Sequence, residues 1–85
     1  MRTVHKYPLK IAHWQEINTY AGWQPLLVGV QAETPCLWAF VNTDRPMLVD
    51  QITITGTGHE VPSDAEHCGS FQYPPFVWHV WRRVR

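Results

Sequence analysis

The chain has no excess of charge. Seven Lys and Arg balance seven Asp and Glu over 85 residues, a formal net charge of zero with the five histidines neutral. A dedicated nucleic-acid binder carries a strong positive excess, so nucleic acid is not the expected partner. Cysteine is scarce as well. Cys36 and Cys68 are too few for a secreted disulfide framework. The chain is therefore read as cytoplasmic with free thiols, although spacing alone leaves a Cys36–Cys68 bridge open. No apolar run approaches the roughly 20 residues of a membrane span. Met1 to Lys10 contains no apolar h-region, so neither a signal peptide nor membrane contact is expected. Helical periodicity is almost missing, and with it the long helical folds.

Aromatic and β-branched residues are plentiful. The hydrophobic share is 45%, with five tryptophans, and seven prolines and five glycines break the chain every few residues. That is the pattern of short strands joined by turns. Seven strands are predicted, over Val4–Leu9, His13–Asn18, Leu26–Gln31, Cys36–Asn42, Leu48–Thr55, Gly69–Tyr73 and Phe76–Arg82. Turns fall at Ala21-Gly22, at Glu33-Thr34-Pro35, at Thr43 to Pro46 and at Pro74-Pro75. Pro35 is expected to cut a strand short, because proline has no N–H for a ladder. A long loop from Gly56 to Cys68 is expected to hold one helical turn, since Ser63 and Glu66 have capping-box spacing.

Alternation assigns the faces. Leu48, Ile52 and Ile54 fall on one side of the fifth strand, and Gln51, Thr53 and Thr55 on the other, so that strand is expected to be half buried. The fourth and seventh strands are apolar on both faces. Such strands sit between layers or at an interface. The expected fold is all-β, one domain over residues 1–85, as a small antiparallel sandwich or barrel. A single curved sheet that dimerises is the alternative. A domain of this size is marginal alone, and the surplus of aromatic area fits a homo-oligomer.

Three groups of residues bear on function. Gly56-Thr57-Gly58-His59 combines glycines that allow close backbone approach with N–H groups that can face an anion. A strand-end turn explains the same residues. Trp78, His79, Trp81, Arg82 and Arg83 join stacking surfaces to cations, which suits a nucleotide-type ligand with its ring on tryptophan and its phosphate on arginine. The same residues suit a protein hot spot or a plain core. Period-two alternation puts Trp81 with Arg83 and Trp78 with Arg82, so one pocket in one chain would not use all four. His59, His67, Cys36 and Cys68 lack the paired spacing of a zinc site, and no metal or cofactor is expected. No acid, base and nucleophile set stands out, so catalysis is not expected and no catalytic residue is assigned.

Pro35-Cys36-Leu37-Trp38-Ala39, Gly56-Thr57-Gly58-His59-Glu60, Gly69-Ser70-Phe71-Gln72 and Val77-Trp78-His79-Val80 resemble a family of small bacteriophage and prophage proteins of unknown function. The resemblance runs from Tyr7 to Trp81, and the Arg82–Arg85 tail departs from it. It carries no activity that transfers residue by residue. It implies a setting, the cytoplasm of an infected bacterium. In that setting the expected role is counter-defence, by sequestering a nucleotide-type immune signal in a pocket between subunits. Inhibition of a host defence protein complex, and an accessory role in the virion or DNA metabolism, are the alternatives.

Overall fold

A computed structural model describes residues 1–84. Seven strands follow one another: β1 (Arg2–Pro8), β2 (Gln15–Tyr20), β3 (Gln24–Gln31), β4 (Thr34–Asn42), β5 (Met47–Gly56), β6 (Ala65–Tyr73) and β7 (Phe76–Arg83). They form two sheets, one of order β1-β4-β3 and one of order β2-β5-β7-β6. Every pairing is antiparallel. The expected all-β sandwich is the fold, in place of a barrel or a single curved sheet. The Cα envelope measures 40 × 31 × 16 Å. Sixteen ångströms is room for two sheets packed face to face and nothing more. Among the described residues no helix is long and apolar enough to cross a membrane.

The core lies between the sheets. Leu37, Ala39 and Val41 of β4 face Ile52 and Ile54 of β5 and Val80 of β7, with Ile17, Trp23, Val28 and Phe71 around them. The inner residues of β4 are fully buried, while Trp38 and Phe40 on its other side are half buried. No third layer covers them. The outer face of β5 departs from expectation. Thr53 and Thr55 are buried, because Trp81 of β7 lies against them and its Nε1 donates to Thr55 Oγ1 at 3.0 Å. A side chain lying flat on the sheet does there what a second layer would do.

Two sequence expectations fail for the same kind of reason. Pro35 does not end a strand; it lies inside β4, opposite Val30. Its nitrogen and carbonyl both face β1, where the carbonyl accepts Leu9 N–H at 2.8 Å. The one bond proline forgoes is the reciprocal one to Leu9 O, at the very end of the β1 ladder just past Pro8 opposite Cys36. The hairpin turn is instead Ala32-Glu33, both at positive φ (49° and 66°), and Tyr73 Oη donates to Glu33 O at 3.0 Å. Those angles are the two-residue hairpin turn whose twist matches its strands. Likewise the loop after β5 ends earlier than expected, at residue 64. Ser63 to Glu66 makes a turn and the start of β6, not a helical turn, because Ala65 and Glu66 pair with Arg83 and Arg82 of β7.

Candidate functional site

β7 inserts between β5 and β6 and presents two different surfaces. Trp78, Val80 and Arg82 point toward the core side, and Val77, His79, Trp81 and Arg83 toward the outside. The split of the tryptophan–arginine set into two faces is what period-two alternation requires.

At the inner end of β7, Gly56 and Trp78 are opposite one another. The Gly56–His59 turn closes over them: His59 N–H donates to Gly56 O, and Gly56 N–H donates to His59 Nδ1, both at 3.1 Å. A Cβ on Gly56 would stand 2.9 Å from the His59 ring and 3.3 Å from Trp78, so a side chain there would push His59 aside and crowd Trp78. Gly58 sits at φ 90°, the left-handed turn position that glycine adopts without strain. Between this turn and Phe76-Val77 lies a groove of about 520 Å³, lined also by Thr57 and Pro75. Phe76 meets Trp78 edge to face at 5.8 Å. Because His59 Nδ1 accepts, the ring's remaining proton is on Nε2, a donor not used by the turn.

The arginines are elsewhere. Arg82 lies along the core edge with its side chain 18% exposed. Its Nε donates to Glu66 Oε1 at 2.9 Å, its Nη1 to Trp23 O at 3.0 Å, and its guanidinium rests on the Trp23 ring at 4.9 Å. Arg83, on the outer face, pairs with Asp64 at 3.0 Å, bonds Gln51 and stacks on Trp14 at 4.1 Å. Both cations thus hold β7 to its neighbours. Of the nine residues singled out in the sequence, Gly56, Thr57, His59 and Trp78 line one groove and Gly58 tips its turn, whereas Trp81, Arg82 and Arg83 are outside it.

His79 connects the groove to a second arrangement that sequence reading missed. Its Nε2 lies 2.9 Å from Thr57 Oγ1, and its Nδ1 lies 2.7 Å from Ser70 Oγ. Ser70 Oγ also lies 3.1 Å from His67 Nε2. His67 and Ser70 are three residues apart and would face opposite ways in a regular strand. A bulge between His67 and Gly69 takes up Cys68 and brings both outward. Its only sequence signal was Gly69. A Cβ there would meet Val28 Cγ2 at 2.6 Å, so β3 and β6 approach only at a glycine. Cys68 turns inward instead, and burial pushes its thiol up to about 11 against the pull of Arg82. Cys36 and Cys68 are both free thiols. Among the described residues no group of three or more His, Cys, Asp or Glu is placed to hold a metal.

No curated protein matches the chain, and no solved structure matches it. A family model does, along residues 1–85. The two-sheet scaffold, its glycine turn and its β6–β7 hairpin therefore describe a member of DUF7352, a family defined as a domain of unknown function.

Proposed function

We propose that this protein is a non-enzymatic binding domain that sequesters a small nucleotide-type ligand, with the ligand's flat ring seated against Trp78 in the groove beside the Gly56–His59 turn. The observation that carries this reading is the groove itself: an open aromatic face backed by a glycine, with two polar groups at its rim. A ring stacked on an aromatic side chain gains about 1–3 kcal/mol whatever its base. His59 Nε2–H supplies the directional contact, while the Thr57 hydroxyl at the rim is engaged by His79 and Val77 O. Arg82 and Arg83 are held by Glu66 and Asp64, so recognition of the ring is the main source of affinity and the phosphates face solvent or a second subunit. The resemblance to phage proteins gives the setting: the ligand is a nucleotide signal of bacterial immunity, and a homo-oligomer closes the groove's open side.

Calorimetric titration with nucleosides, mononucleotides and cyclic nucleotides tests the reading. Trp78→Ala should weaken binding about 5- to 150-fold, the equivalent of 1–3 kcal/mol, and Trp81→Ala should leave it unchanged. Absence of heat with every ligand, or equal losses in the two variants, would sink it. A second reading, a protein inhibitor, draws on the outer face of β1-β4-β3, where Val4 and Leu27 are 50% and 58% exposed beside Trp38 and Phe40. Native mass spectrometry of protein taken directly from cells separates the two. A small-molecule adduct favours sequestration; a stoichiometric protein partner favours inhibition.

A further inference from the structure

The turn after β5 and strands β7 and β6 carry a continuous hydrogen-bonded chain of side chains on the outer face. Thr57 Oγ1 reaches Val77 O at 3.4 Å. A carbonyl only accepts, and with the Thr57 proton turned toward it Thr57 Oγ1 accepts from His79 Nε2–H at 2.9 Å. With its proton on Nε2, neutral His79 offers a lone pair at Nδ1. Ser70 O–H donates to that lone pair across 2.7 Å, and Ser70 Oγ in turn accepts His67 Nε2–H. In that arrangement Thr57 orients the His79 ring and Ser70 is the donor to its other nitrogen.

We infer that Ser70 is an activated nucleophile, an acceptor for acyl groups from activated carboxylic esters, with His79 as its base. The arrangement has the elements such chemistry needs: a hydroxyl, a base in hydrogen-bond contact with it, and a third group orienting the base. Ser70 is exposed on the outer face of β6. In the step, Ser70 Oγ forms a bond to the carbonyl carbon and its proton passes to His79 Nδ1. The tetrahedral adduct then breaks its bond to the leaving oxygen, which departs with the proton from Nδ1. The products are acyl-Ser70 and the free alcohol or phenol. Trp81 packs beside His67, its ring 4.9 Å from the imidazole. Thr57 is a positioning residue, acting through His79. The inference concerns a single stoichiometric acylation without turnover, so it stands beside a non-enzymatic binding role, and it does not depend on the groove being occupied.

The chain contains its own control, since Ser63 is the other serine and is also exposed. The native protein would be treated with p-nitrophenyl acetate and with a fluorophosphonate probe, and adducts mapped by peptide mass spectrometry. Ser70 should be modified and Ser63 not, and the preference should vanish in urea. His79→Gln should slow modification by about 100-fold, the low end of general-base assistance. Thr57→Val should slow it too, and Thr57→Ser should restore it, which a merely structural role for the methyl group would not allow. Equal labelling of Ser63 and Ser70 in the native protein overturns the inference, as does an unchanged rate in folded His79→Gln.

Discussion

Trp23 Nε1 donates to Asp50 Oδ2 at 2.7 Å between two residues that are 3% and 5% exposed. A carboxyl group is costly to bury unless its oxygens are bonded. Here the second oxygen, Oδ1, accepts Gln51 N–H at 2.9 Å. The pair ties the residue just before β3 to β5, one sheet to the other. Asp50→Ala leaves the indole N–H unpaired and should cost about 2–3 kcal/mol, a fall in Tm of roughly 4–8 °C per kcal/mol for a domain this small. Asp50→Asn should cost less. A double-mutant cycle with Trp23→Phe in urea unfolding measures the coupling, and a coupling near zero would show the bond to be incidental.

Adjacent arginines should differ sharply. Arg82 is largely buried, bonded to Glu66 and to the Trp23 carbonyl, and laid on the Trp23 ring. Arg82→Met keeps the stem and should lose about 1.5–3 kcal/mol. The Arg83–Asp64 pair is 39% and 52% exposed, and exposed pairs contribute about 0–1 kcal/mol. Arg83→Met should therefore fall under about 1 kcal/mol, with part of that loss disappearing in high salt. Urea melts at two salt concentrations decide it; equal costs would contradict the different burial of the two side chains.

Gly69 should tolerate no side chain. The 2.6 Å approach to Val28 Cγ2 predicts a loss of about 1–3 kcal/mol for Gly69→Ala, typical of overpacking. Val28→Ala alone should also destabilise, by opening a cavity. Together the two changes should cost less than their sum, because each relieves the other. Additive costs in thermal melts would mean that some other contact demands the glycine.

The Cys68 thiol gives a pH signature. Its ordinary value is near 9.0, and burial raises it to about 11 in the fold. Between those values the unfolded chain releases the proton while the native protein keeps it. Its contribution to stability is therefore complete below about pH 9, falls as pH rises toward 11, and levels off above. Urea midpoints from pH 8 to 11 should decline less steeply in Cys68→Ala than in the parent chain. Parallel curves would show that the thiol is not held protonated by the fold. Cys68 should also alkylate slowly at neutral pH, since little thiolate is present.

How far the chain could be read before folding is clear from particular residues. Seven strands, the turns at Ala21-Gly22 and Pro74-Pro75, and the division of Trp78 from Trp81 and of Arg82 from Arg83 were legible, because they depend on neighbours and on a period of two. The Gly56–His59 turn was legible as a glycine-bearing strand end, and its place beside Trp78 was not. Pro35 and the Ser63–Glu66 segment were misread for a common reason. Local propensity speaks first in a short window, and ladder partners distant in sequence overrule it.

The amino-acid sequence by itself determined an all-β chain with strands apolar on both faces and glycines where the backbone must turn. Local sterics and alternation are enough for that. Only the tertiary structure decided which strands are neighbours. Placing β7 between β5 and β6 set Arg82 on Trp23, placed Trp78 against Gly56 and joined His67, Ser70, His79 and Thr57 into one hydrogen-bonded line. Those contacts join residues 3 to 59 positions apart. Even the three-residue pair His67 and Ser70 needs a bulge, beside a glycine against which a distant valine packs. Contacts of that kind are fixed by what packs against what, and no local window contains them.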